Sequence, residues 1–322
     1  MKNNFYNNLK KIIKNRPFFI AEAGVNHNGK LSEALRLVSV AKKLKCDAIK
    51  FQTWKTEHVY NDKSLLPDYQ EKNLGKKIQE FKLIKSLELK KKDFKKIKNF
   101  CKKKKIIFFS TPDEIESANF LNKLKVKLFK VSSQDLTNLP FIKFLTKFKL
   151  PIIISTGAST VKEIKSAIKI LQDKKNKFII FHCISAYPAP HSQLNLNFIK
   201  YLKKKYKNII GFSDHTLGSE SACAAVALGA KVFEKHLTLN KKMKGPDHAA
   251  SLNPEEMKDY IAKVTNAFKS LGKVQKKIMP CEINTRKAFK RFLVASKNLK
   301  KGSTLHQKHF FFKKTVHGIN VN

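Results

Sequence analysis

Eight short β-prone stretches alternate with amphipathic runs along most of the chain, and no other feature of the sequence restricts its fold as much. The stretches are residues 18–21, 48–52, 106–110, 128–132, 151–155, 178–183, 209–213 and 232–236. Each is rich in Ile, Phe or Val and is bounded by polar or turn-forming residues, as strands are. Between them, 32–44, 90–103, 114–124, 161–171 and 194–204 carry apolar residues at helical spacing, and 254–271 follows the eighth stretch. Strand–helix alternation builds parallel sheets, and eight units in succession predict a closed (β/α)8 TIM barrel. An open doubly wound sheet is the alternative, but no Gly-rich dinucleotide turn follows the first strand.

In such a barrel the chemistry gathers at the C-terminal ends of the strands. Here every strand passes from apolar to polar at that end. The residues are Glu22, Lys50 with Gln52, Thr111, Lys130 with Ser133, Ser155 with Thr156, Ser185, Ser213 with His215, and Glu234 with His236. One polar strand end is ordinary; eight around one rim are not explained by hydrogen-bond satisfaction alone.

Residues two apart on a strand share a face, so Glu234 and His236 project together, as do Ser213 and His215. A carboxylate and an imidazole on one face are costly in a dry core and reasonable in a polar cavity. Either histidine alone reads most simply as hydrogen-bonded at a strand end. The pair beside Glu234 reads as the start of a divalent-metal site. Lys50 is bracketed by Ile49 and Phe51, and Lys130 by Phe129 and Val131, so both lysines point where a solvated lysine would not. With nearby hydroxyls they suit a phosphate or carboxylate. After the eighth strand, Gly245-Pro246-Asp247-His248 is turn chemistry that brings Asp247 beside the rim, as a turn former or a contact to a substrate hydroxyl.

The formal net charge of +43 on 322 residues would ordinarily suggest nucleic acid. Yet arginine occurs only at Arg16, Arg36, Arg286 and Arg291, and the lysines are spread over every helix. Base reading and bidentate phosphate grips favour arginine, so specific nucleic-acid binding is not expected. No apolar run reaches membrane-spanning length, and the run at 17–20 after the basic start is too short for a signal peptide. Five scattered cysteines without a C-x-x-C pair point to reduced thiols and a cytoplasmic protein. From 273 to 285 the sequence is polar and irregular; 292–295 and 310–313 then read as strands of a small β-rich appendage.

Taken in order, Ala21-Glu22-Ala23-Gly24-Val25-Asn26-His27-Asn28-Gly29, Lys50-Phe51-Gln52-Thr53, Ser110-Thr111-Pro112, Ser155-Thr156-Gly157, Tyr187-Pro188-Ala189-Pro190, Ser213-Asp214-His215-Thr216, Glu234-Lys235-His236 and Gly245-Pro246-Asp247-His248 resemble the sialic acid synthase family, which makes N-acetylneuraminate and relatives such as legionaminate. No one of these motifs is specific; the ordered set, from residue 18 onward, is. The resemblance implies a basic extension at 1–16, a barrel at 17–272, a linker at 273–287 and an antifreeze-like (SAF) domain at 288–322, shortened relative to the family.

It further implies condensation of phosphoenolpyruvate with an N-acylated hexosamine, N-acetylmannosamine or a 2,4-diacetamido relative, to a nonulosonic acid plus phosphate. His215 and His236 would hold a divalent metal, manganese first, with magnesium or cobalt as alternatives. Lys50, Gln52, Thr111, Lys130, Ser133, Ser155, Ser185 and Ser213 would hold phosphoenolpyruvate. Tyr187 and Asp247 would contact the amino sugar, Glu22 and Glu234 would serve the acid–base steps, and the active unit would be a homodimer.

The sequence departs from the family at three places: Ser185 stands where some members carry Asn, Asp113-Glu114 replaces an aromatic-acid pair, and Lys313-Lys314 stands where an arginine is expected. A pseudaminate synthase, another phosphoenolpyruvate-condensing barrel, and a catalytically impaired lysine-rich binding protein are the competing readings.

Overall fold

The computed structural model describes residues 4–61, 71, 79–315 and 317–320, which fall into two compact units, residues 1–271 and 272–322. In the first, the eight β-prone stretches form strands β1 (Phe18–Gly24), β2 (Ala48–Thr53), β3 (Ile107–Pro112), β4 (Phe129–Val131), β5 (Ile152–Ser155), β6 (Phe178–Cys183), β7 (Ile209–Asp214) and β8 (Val232–His236). All pair in parallel in sequence order, and β8 returns to β1 to close the barrel. Closure leaves no exposed sheet edge.

Register carries the polar ends to one rim. Glu22 lies opposite Lys50 on one side and His236 on the other, while Ser213 lies opposite Glu234 and Gln52 opposite Thr111. Between Glu22 and Gly24 the β1–β2 register shifts, and Gly24 adopts φ +49°. A Cβ there would stand 3.3 Å from Glu22 Oε1 and 3.4 Å from His236 Cε1, so the missing side chain lets β1 approach the site.

Side chains from strands all around the sheet fill the lower barrel: Phe18, Ile20, Phe109, Ile153, Phe181 and Val232 form one cluster, separate from the larger one between strands and helices. Helix Val161–Asp173 shows the outer logic. A capping box of Thr160 and Glu163 starts it, and Ile164, Ala167, Ile168 and Leu171 turn one stripe to the sheet.

Two elements differ from the sequence reading. The basic start contains a helix, Phe5–Asn15, whose Phe5, Tyr6 and Leu9 join the cluster inside the barrel and close its N-terminal end. Lysines and asparagines on its outer face masked the apolar stripe. The stretch read as an irregular linker contains a 3-10 turn at Pro280–Glu282 and a helix at Ile283–Phe289.

The second unit also holds β9 (Arg291–Ala295) and β10 (Phe310–Lys314), paired antiparallel from Phe310 with Ala295 to Lys314 with Arg291. This small β-rich piece is a two-stranded sheet. Among the described residues no helix is long and apolar enough to cross a membrane, and all five cysteines are free thiols.

Candidate active site

At the C-terminal rim of the barrel lies a cavity of about 350 Å3. Glu22, Lys50, Gln52, Lys130, Ser133, Ser155, Ser185, Tyr187, Ser213, His215, Glu234, His236 and Asp247 all line it. Thr111 alone of the expected residues does not; it is fully buried and accepts a hydrogen bond from Lys50 Nζ at 3.2 Å.

Four buried charges converge in this cavity. Lys50 Nζ stands 2.9 Å from Glu22 Oε1 and 3.8 Å from Glu234 Oε1. Lys130 Nζ donates to both Glu234 oxygens, at 2.8 and 3.1 Å, and Ser213 Oγ adds a third donor at 3.2 Å. Charges so deeply buried persist only when paired.

The environments drive the two carboxyls apart. Burial opposes the Glu234 charge, but Lys130 and Lys50 outweigh it and hold its pKa at about 2. Burial pushes Glu22 up to about 7, with the Glu234 charge adding to the rise and Lys50 only partly offsetting it. One carboxylate is thus permanently charged, and its neighbour can take and return a proton near neutrality.

Beside this cluster the His215 and His236 rings lie 5.6 Å apart, with the Tyr187 ring 4.0 Å from His215; Ser213 Oγ, which donates to Glu234, is 3.5 Å from His215 Nε2. His215 Nδ1 is 2.7 Å from the Ile184 carbonyl. It therefore carries a proton; burial opposes a charged ring, but Cys183 and this carbonyl outweigh it and hold the His215 pKa above its ordinary value. Burial, followed by the His215 and Lys50 charges, drives the His236 pKa well below its ordinary value, so its imidazole is neutral. Its Nδ1 is buried without a hydrogen-bond partner, and Asp247 Oδ2 is 3.9 Å away. Asp247 Oδ1 is likewise unpartnered, and burial pushes that carboxyl up to about 6.

A neutral His236 imidazole facing the His215 ring, beside the orphaned Asp247 Oδ1, fits a divalent cation that keeps open positions, with His215 giving up its Nε2 proton as the cation binds. Among the described residues no group of three or more His, Cys, Asp or Glu is arranged to hold a metal, so protein ligation would rest on the two histidines.

Hydroxyls also crowd around Gly157. A Cβ there would meet Ser185 Oγ at 2.2 Å and Ser133 Oγ at 2.7 Å. The Gly157 N–H donates to Ser133 Oγ at 3.1 Å, and Ser155 Oγ is buried without a partner. The unpartnered Ser155 hydroxyl beside these groups suits an anionic ligand.

A model of the NeuB family matches residues 37–276. The chain belongs to the NeuB family. It is 38% identical to the N,N'-diacetyllegionaminic acid synthase of Campylobacter jejuni over 95% of this chain and 92% of that protein. Identity to the N,N'-diacetyllegionaminic acid synthase of Legionella pneumophila is 36%, over 94% of this chain and 86% of that one. The crystal structure of the N-acetylneuraminic acid synthetase of Leptospira borgpetersenii in complex with citrate matches with a TM-score of 0.73 at 34% identity, covering 85% of this chain and 93% of that chain.

Several cavity residues of this NeuB-family chain escaped the strand-end reading. Val25, Trp54, Asp113 and Gln134 enter from loops beyond β1 to β4, and Glu80 and Ile84 from helix Glu80–Leu87, where no two-residue period points inward. Asp113 is the most unusual. Burial, reinforced by Asp135, raises its pKa well above the usual carboxylate range, and its Oδ1 has no partner. Its place in an atypical Thr111-Pro112-Asp113-Glu114 stretch was the only available signal. Cys183, at the end of β6, lies 3.8 Å from His215 Nδ1 and 3.7 Å from Ser133 Oγ, and nothing in its sequence context marked it.

Proposed function

We propose that the protein condenses phosphoenolpyruvate with an N-acylated hexosamine, N-acetylmannosamine or a 2,4-diacetamido relative, to a nonulosonic acid with release of phosphate. The observation that carries this reading is the convergence, in one barrel-mouth cavity of a NeuB-family chain, of two lysines, two carboxyls of opposed acidity and two facing imidazoles.

Lys50 and Lys130, with Gln52, Ser133, Ser155, Ser185 and Ser213, meet the phosphate and carboxylate of phosphoenolpyruvate, and Thr111 steadies Lys50 from below. Tyr187 and Asp247 orient the amino sugar. His215 and His236 would hold a divalent cation, manganese first, and such a cation supplies Lewis-acid polarisation of the open-chain aldehyde. The enol carbon bonds to the aldehyde carbon, and the aldehyde oxygen becomes an alkoxide that takes a proton. Positive charge left at the carbon that bears the phosphate oxygen is stabilised by the prepositioned Glu234 carboxylate. Water adds there and gives up one proton; the carbon–oxygen bond to phosphate then breaks as the new hydroxyl gives up its second proton, leaving the ketone. Glu22, which titrates near neutrality, serves the proton transfers.

The reading extends to the second unit, taken as an antifreeze-like domain, and to a homodimer. Supporting it, the described residues of that unit bury no side chain, and Phe311 and Phe312 are exposed on its sheet. Five free thiols favour a cytoplasmic setting. Phosphate release from phosphoenolpyruvate is the test, with N-acetylmannosamine, its 6-phosphate and a 2,4-diacetamido sugar, each with and without manganese. Release with one sugar supports the reading; no release with any overturns it.

A further inference from the structure

Each histidine at the rim is preceded by a buried charge that faces away from the cavity. Asp214 comes before His215 on β7, and Lys235 before His236 on β8. The two are Cα partners across the β7–β8 pair, on the rung next to Ser213 and Glu234. Their side chains are 0% and 2% exposed, with Lys235 Nζ 3.2 Å from Asp214 Oδ2. Lys235 lies against the outer helix layer, its ammonium 5.4 Å over the Tyr260 ring.

The pair grips the backbone on the far side of His215. Asp214 Oδ1 accepts from Thr216 N at 2.9 Å and from Thr216 Oγ1 at 2.7 Å, and Lys235 Nζ donates to the Thr216 carbonyl. Residues 214–216 are therefore clipped to β8 through Lys235, and His215 projects from the middle of the clip. An apolar pair of equal volume would stabilise a barrel wall at least as well as a buried ion pair. What the ion pair adds is direction, because its hydrogen bonds hold one geometry.

We propose that Asp214 and Lys235 are a positioning pair that sets the separation and aim of His215 and His236, and through them the affinity of the site for its divalent cation. The inference rests on the metal reading above. Neither residue touches the cavity, so the pair acts only through the histidines.

The test uses the full chain freed of metal. Lys235→Met alone strands a buried carboxylate and endangers folding, so the main variant is the double change Asp214→Leu with Lys235→Met, which removes both charges together. Manganese binding is measured by calorimetry on folded protein, with His236→Ala as a reference, alongside kcat and KM for phosphoenolpyruvate. The expected result is a loss of manganese affinity of about 10–100-fold, as for other groups that orient metal ligands, a lower kcat, and an unchanged KM for phosphoenolpyruvate.

A lowered melting temperature with unchanged manganese affinity would mean a purely structural pair and overturn the proposal. If the double variant does not fold, Asp214→Asn is read by the same criteria. Lost affinity in His236→Ala beside unchanged affinity in the pair variants sinks the proposal alone. Unchanged affinity in His236→Ala sinks the metal reading, and the proposal with it.

Discussion

At the scale of single residues, strand alternation told faces but not partners. It placed Glu234 with His236, Ser213 with His215, and Lys50 and Lys130 inward, and all of these line one cavity. It could not show that Lys130 meets Glu234, 104 residues away, because a period of two says nothing about which strand lies across the barrel. That pairing changes what a variant means. Lys130→Met should lower kcat/KM for phosphoenolpyruvate by about 2–4 kcal/mol of transition-state stabilisation. It should also destabilise the fold by up to about 3–5 kcal/mol, since buried Glu234 loses its nearest cation and keeps only Lys50 at 3.8 Å and the Ser213 hydroxyl. Adding Glu234→Gln should restore stability in urea unfolding without restoring turnover; recovery of both would return Lys130 to a structural role.

His27 gives a second residue-scale prediction. Burial lowers its pKa from 6.5 to about 3, and its Nδ1 accepts from the Gly29 N–H. With the folded value below the unfolded one, the unfolded chain binds the extra proton between these limits, so stability falls as pH drops through 6.5 toward 3. At pH 5 the His27 share of that loss is about 2 kcal/mol. His27→Gln should therefore shrink the difference in unfolding free energy between pH 7 and pH 5 by that amount, and an unaltered difference would show that His27 titrates as it does in the unfolded chain.

Among the elements, the eight strands were legible because each is buried on both faces and so reads as an apolar run bounded by polar ends. The helix Phe5–Asn15 was not, since only Phe5, Tyr6 and Leu9 of its eleven residues are buried among lysines and asparagines. A helix of this length is marginal alone in water, so docking holds it. Leu9 is 1% exposed inside the barrel cluster. Leu9→Ala should cost about 2–5 kcal/mol in denaturant unfolding and leave kcat unchanged at room temperature, because the helix closes the end opposite the active cavity. A cost near zero would mean that the helix does not dock in solution.

For the whole molecule, the two units differ in what holds them. The barrel is closed and encloses its core, whereas the described residues of 272–322 include no buried one and form a two-stranded sheet, a short helix and 3-10 turns. Their apolar groups lie open, with Phe289, Leu305, Phe311, Phe312 and Ile319 each more than half exposed. A lone pair of strands is marginal in water, and a unit of this size buries little of its own surface. In dilute protein the amides of β9 and β10 should therefore exchange orders of magnitude faster than those of β1 to β8. The proposed homodimer adds a concentration dependence, because an interface that covers the sheet stabilises it by mass action. Hydrogen exchange over a hundredfold range of concentration, with light scattering alongside, should show β9–β10 protection rising as dimer forms. A monomer at every concentration with this sheet as protected as the barrel would refute both halves of the prediction, and a dimer whose β9–β10 protection stays constant would remove the sheet from the interface.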